Sequence, residues 1–204
     1  MKKLLPEFLG TYIIVFCGTG SIIINSISGG IITHVGIAVT FGLVVMAMIY
    51  TFPSAQFNPA VSIGLMINKQ LEKGEALGNI LIQFAGALSA SLTLKLLFPD
   101  SSTLGATIPS GSQLQSFFLE ILLMFFLVLA AIKSGEKTPH LVGAVVGAIV
   151  LLEALFAGPI SGASMNPARS FAPALLSSNL NTVWIYLSAP VLGSLLAFWV
   201  AKKA

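Results

Sequence analysis

The stretch "GASMNPARS", residues 162–170, sets Asn166, Pro167 and Arg169 inside one of the most apolar regions of the chain, and "AQFNPAVSIG", residues 55–64, carries the same Asn-Pro-Ala tripeptide. Asn is a favoured helix N-cap. Pro is a favoured first helical residue, because its ring fixes φ near the helical value and its absent N–H is not missed there. Asn58-Pro59-Ala60 and Asn166-Pro167-Ala168 therefore read as helix starts. A single copy could be a plain turn between helices. Two copies 108 residues apart, each leading into a short apolar segment, ask for one explanation.

The surroundings supply it. Of the 204 residues 56 % are apolar and only 8 % charged, where a soluble domain carries about a quarter charged. Six long apolar segments, at 8–27, 31–52, 76–98, 114–132, 141–156 and 183–201, approach or exceed the length that crosses a bilayer. In lipid every backbone polar group needs an internal partner, which excludes an open sheet and makes these segments helices. Two shorter ones, 59–67 and 167–176, begin at the repeated tripeptide. At about 1.5 Å per residue each covers roughly half of a hydrocarbon core of about 30 Å. The expected fold is an all-α membrane protein of six transmembrane helices plus two re-entrant half-helices. A cleaved secretory leader does not suit the start of the chain, where Pro6 and Glu7 interrupt the sequence and the apolar run continues to Ile27.

Charge gives the orientation. Lys2, Lys3, Lys69, Lys73, Lys133, Lys137, Lys202 and Lys203 flank the first, second, fourth and sixth spans on what six crossings make a single side, leaving Lys95 and nearby Asp100 at the opposite boundary. By the positive-inside rule both termini are expected in the cytoplasm of an inner (plasma) membrane protein. The net charge of +3 is thus accounted for by topology. The implied partner is the lipid bilayer, with no nucleic acid.

Each half of the chain reads as span, span, Asn-Pro-Ala segment, span, so the 204 residues form one domain with repeat halves at about 1–98 and 114–204. Three crossings per half is an odd number, so the repeat is inverted and the half-helices enter from opposite faces. Their N-termini then meet at mid-membrane, each contributing roughly half a positive charge. If each Asn oxygen caps its own helix, its NH₂ group stays free to donate. Such a centre suits a neutral solute with lone pairs and repels cations.

The chain resembles the aquaporins, the major intrinsic protein family, over essentially its whole length. The resemblance is carried by "PEFLGTYIIVFCGTGS" (6–21), "FNPAVSIG" (57–64), "QFAGALSAS" (83–91), "FLEILLMFFLVLA" (118–130) and "AGPISGASMNPARSFAPAL" (157–175), the last most like plant nodulin-like channels and their bacterial relatives. It implies an aquaporin-like fold and a homotetramer in which each subunit has its own pore for water and small neutral solutes, conducting passively.

It also implies a selectivity filter. In the family an Arg three residues after the second Asn forms one wall of the narrowest constriction, here Arg169; the loop position is Ala163 and the fifth-span position Ala154. A strict water channel usually has His at the latter, so paired alanines imply a wider, less polar opening. The second-span wall is Phe41 when "FGLVVMAMIYTF" (41–52) is matched to the family's pattern. Rigid counting from Asn58 selects Ala38 instead, because the approach loop, reading "PSAQ" at 53–56, is three residues short. Three residues are about 300° of helix rotation, so both lie on nearly one face; Phe41 is preferred. Glu7 and Glu120, at matching early positions of the first and fourth spans, brace the re-entrant loops in the family, and Gln56 replaces its loop His.

Other residues carry less. Glu153 either braces the second loop or faces the pore mouth. Gly143 and Gly147 suit close helix packing. His34 and His140 lie at span boundaries, Cys17 reads as a small buried residue, and no grouping has metal-ligand spacing. No metal or other cofactor is expected. A proton- or sodium-coupled secondary transporter also uses inverted repeats and broken helices, but the repeat centre offers Asn58 and Asn166 and no carboxylate. An enzyme is not expected, for want of a nucleophile and base pair.

Overall fold

The computed structural model describes residues 4–203; Lys2 and Lys3 of the charge argument lie outside them. Among the described residues eight α-helices follow one another: α1 (Leu4–Ile27), α2 (Thr33–Thr51), α3 (Pro59–Ile67), α4 (Lys73–Leu97), α5 (Gln113–Lys137), α6 (Val142–Ser161), α7 (Pro167–Leu176) and α8 (Val183–Ala201), with a 3-10 turn at Pro139–Leu141 before α6. Six are long and apolar enough to cross a membrane, namely all but α3 and α7. The protein is an all-α integral membrane protein.

Helix α1 packs along α4, α5 along α8, and α2 along α6. These approaches are close where glycine leaves room. A β-carbon on Gly86 of α4 would stand 2.6 Å from the Phe8 carbonyl oxygen of α1, and one on Gly193 of α8 would overlap the Ile121 carbonyl of α5. Between α2 and α6, Gly42 and Gly147 face each other's carbonyls, 2.7 Å from where each β-carbon would lie, while Gly143 receives the ring of Tyr50.

Helix α8 and both half-helices begin and end where hydropathy places them. The other spans differ at their ends. α1 starts earlier, at Leu4, and α4 and α5 extend to charged residues, Lys73 and Lys137, because a helix continues into the interfacial layer after hydropathy stops counting it. α2 is shorter, Thr33–Thr51. α6 is the larger correction. It continues past Phe156 through Pro159 to Ser161. Pro159 lacks the N–H that would reach the Leu155 carbonyl, and His34 Nε2 replaces it at 2.6 Å. Gly162 then ends the helix in the left-handed region, at φ 85°.

Candidate functional site

The two Asn residues cap their half-helices through the side-chain oxygen. Asn58 Oδ1 accepts from Ala60 N–H at 3.0 Å; Asn166 Oδ1 accepts from Ala168 N–H at 3.0 Å and Arg169 N–H at 3.4 Å. Pro59 and Pro167 occupy the first helical position. The expectation that both NH₂ groups stay free needs correcting. Asn58 Nδ2 donates to the Met165 carbonyl at 2.8 Å and Asn166 Nδ2 to the Phe57 carbonyl at 2.9 Å. One hydrogen of each amide ties the two half-helix starts together. The reason is that a carbonyl beside each Asn would otherwise be unpaired in the membrane interior.

Those carbonyls face inward because Phe57 and Met165 adopt left-handed backbone, at φ 58° and 53°, a conformation costly for bulky residues. Buried glutamates hold it. Glu7 accepts from Gln56 N–H and Phe57 N–H, each at 2.7 Å, and from Gln83 Nε2 at 2.9 Å. Glu120 accepts from Ser161 Oγ, Ser164 N–H and Met165 N–H, all at 2.8 Å. In each half the strained residue thus gives its N–H to a carboxylate and its carbonyl to the opposite Asn. Gln56 takes Ser62 Oγ and Asn79 Nδ2 on its own oxygen and donates to the Ser54 carbonyl.

A cavity of about 360 Å³ runs past both Asn residues. Phe41, Ala154, Ala163 and Arg169 all line it, as do Ile49, Leu65, Ala131 and Val142. Ala38 is absent from the lining and 0 % exposed, packed in the apolar core. Arg169, 2 % exposed, lays its guanidinium 5.0 Å from the centroid of the Phe41 ring and donates from Nη1 to the Gly105 carbonyl at 3.0 Å. Among the described lining residues Arg169 is the only ionisable one. Pro59, Ala60, Pro167 and Ala168 stand behind the lumen and shape the half-helix starts.

Several participants were not singled out from the sequence. Gln83, a polar residue in the middle of an apolar span, carried the one available signal. Thr107 Oγ1 donates to Ser170 Oγ at 2.7 Å, and Ser170 in turn meets Ser164 Oγ, which donates to the Asn166 carbonyl. Tyr186 donates to the Ser161 carbonyl at 2.6 Å. This chain of hydroxyls fastens the 98–112 connection and α8 to the loop before Asn166. Glu153 neither braces that loop nor lines the cavity: it is 5 % exposed and neither carboxylate oxygen has a hydrogen-bond partner among the described residues. Lys95, the lysine at the opposite boundary, donates to the Leu176 carbonyl at 2.8 Å and so caps the C-terminus of α7.

Residues 1–201 match the sequence profile of the Major intrinsic protein family. Similar proteins include aquaporin NIP1-1 of Zea mays, 39 % identical over 98 % of this chain and 73 % of that protein. Aquaporin NIP2-1 of Arabidopsis thaliana is 40 % identical over 95 % of this chain and 72 % of its own. Nodulin-26 of Glycine max is 35 % identical over 98 % and 76 %. The fold is similar to that of the aquaglyceroporin from Plasmodium falciparum, at TM-score 0.87 and 23 % identity, covering 99 % of this chain and 98 % of that one.

Proposed function

The chain belongs to the major intrinsic protein family and is a passive channel for water and small solutes, and from that premise we propose that it passes glycerol-sized uncharged solutes as well as water while excluding ions and protons. The observation that carries the solute reading is the composition of the cavity lining. Ala154 and Ala163 line it together with Phe41 and Arg169, so two walls of the filter are methyl groups. The guanidinium offers donors to hydroxyl groups, and the ring and methyls suit a carbon backbone. Urea and metalloid acids such as boric or arsenous acid meet the same description of small, uncharged and hydroxyl- or amide-bearing.

Exclusion of charge rests on the centre. Two half-helix N-termini held together by the crossed Asn58 and Asn166 bonds put positive potential at one point, and the remaining amide hydrogens make a central water accept rather than relay. Arg169 adds a fixed positive charge at the filter. A coupled transporter would need a titratable substrate site, and among the described residues the lining supplies no carboxylate.

The 204 residues act as one channel domain whose halves, about 1–98 and 114–204, form the inverted repeat; Glu7 and Glu120 are its loop braces. The channel assembles as a homotetramer in the plasma (inner) membrane with both termini cytoplasmic. The lysine pattern supports that orientation, and apolar α2, with only Ala38 and Gly42 buried, supports a lipid or subunit contact along its outer face.

Stopped-flow light scattering on reconstituted vesicles tests the reading. Wild-type protein is expected to conduct water and glycerol without acidifying the lumen under a pH gradient, and Ala154→His to suppress glycerol flux about tenfold more than water flux. Exclusion of glycerol by the wild type, or proton entry matching water flux, would overturn it.

A further inference from the structure

The ring of Phe41 occupies a place that a side chain on α1 would need. A β-carbon built on Gly18 would lie within 3.0 Å of Cε1, Cζ and Cδ1 of that ring, distances that no unstrained packing allows. Gly18 sits within α1 (Leu4–Ile27) and is not among the residues of positive φ. Its backbone is therefore one that alanine adopts readily, and alanine is the better helix former. What glycine supplies here is volume.

We infer that Gly18 is a specificity-determining residue of the channel: the notch it leaves on α1 seats the Phe41 ring back from the lumen and so sets the breadth of the opening shared with Ala154, Ala163 and Arg169. The inference rests on the filter reading proposed above.

The surrounding packing fixes the direction in which a displaced ring moves. Gly42, the next residue on α2, is pressed against α6, where an added β-carbon would stand 2.7 Å from the Gly147 carbonyl and within 3.2 Å of the Leu151 backbone. On the other side, α1 is pressed against α4, where Gly86 has the backbone of Phe8 and Tyr12 within 3.3 Å of its β-carbon position. Neither helix has slack to move apart. A methyl group at position 18 is relieved by rotating the ring about its two side-chain torsions, toward the cavity that it already lines. Arg169, stacked on the ring at 5.0 Å, moves with it. One methyl at position 18, which is outside the cavity lining, thus narrows the lumen through Phe41.

The experiment compares glycerol and water permeability in vesicles containing wild type, Gly18→Ala, Phe41→Ala and the double variant Gly18→Ala/Phe41→Ala. The ratio of the two fluxes does not depend on how much protein is inserted, so a merely structural defect leaves it unchanged. The ratio is expected to fall about tenfold in Gly18→Ala, the size of effect one methyl group exerts in an apolar site, and to return to or above the wild-type value in the double variant. A ratio unchanged by Gly18→Ala but altered by Phe41→Ala would overturn the inference and leave the filter reading intact. A ratio indifferent to Phe41→Ala would overturn the filter reading and the inference with it. Should Gly18→Ala fail to insert, Phe41→Leu and Gly18→Ala/Phe41→Leu decide: a ratio about threefold lower in the double variant supports the notch, and equal ratios overturn it.

Discussion

His34 Nε2 lies 2.6 Å from the carbonyl oxygen of Leu155, the one carbonyl of α6 whose helical donor would have been the missing N–H of Pro159. A carbonyl only accepts, so Nε2 carries the proton in this bond. The contact joins the start of α2 to the turn of α6 that carries Ala154, and thereby links two walls of the proposed filter.

His34→Ala is expected to lower stability by about 1 kcal/mol, the cost of leaving one acceptor unmet. His34→Gln, which can still donate, should recover most of it. Thermal unfolding in detergent measures both, and equal midpoints for the two variants would show that the bond contributes nothing.

Glu120 gathers three donors on one carboxylate. Glu120→Ala strands the N–H groups of Ser164 and Met165 in the protein interior and frees the strained backbone of Met165, at a cost of roughly 3 to 5 kcal/mol. The expected outcome is loss of a folded channel, read as a collapse of the size-exclusion peak in detergent. Glu120→Gln keeps one accepting oxygen and should fall between.

These examples separate what was legible in the sequence from what was not. The half-helices were legible because Asn58-Pro59 and Asn166-Pro167 encode a helix start through local chemistry alone, and the spans because burial in lipid is written as length and hydropathy. The end of α6 was not, since Pro159 argues locally for a break and only His34, 121 residues away, removes its cost. The crossed amide bonds of Asn58 and Asn166 escaped for the same reason: each depends on a left-handed residue in the other half. Phe41 could be chosen over Ala38 only by pattern, because a shortened loop changes the count without turning the helix face.

Cys17 is half-buried on α1 and does not line the cavity, while the loop position Ala163 offers no thiol. Mercurials are therefore expected to inhibit weakly, with water permeability in vesicles changing less than about twofold. Strong block persisting in Cys17→Ser would show that a site other than a thiol responds.

Glu153 contrasts with Glu120. Both are buried, but Glu153 has no hydrogen-bond partner on either oxygen among the described residues. A buried polar group left unmet costs stability, and replacing it by an apolar side chain of similar size removes that cost. Glu153→Leu is expected to raise the thermal midpoint, corresponding to about 1 to 3 kcal/mol, whereas a fall of that size would reveal a hidden partner for the carboxylate.

The two candidates for the second-span wall should behave in opposite ways. Ala38 is fully buried in the core formed with Leu123, Val150 and Ala154, where added volume forces neighbours off their rotamers at about 1 to 3 kcal/mol or more. Ala38→Phe should therefore appear as lower stability and lower yield. Phe41 lines the cavity and carries the Arg169 guanidinium on its ring. Phe41→Ala removes that support and widens the filter, so bulkier uncharged solutes should pass relative to water while the fold persists. Permeability to glycerol and to a larger polyol such as sorbitol, each divided by water permeability in the same vesicles, separates the two. A selectivity change in correctly folded Ala38→Phe, with none in Phe41→Ala, would move the wall one turn down α2.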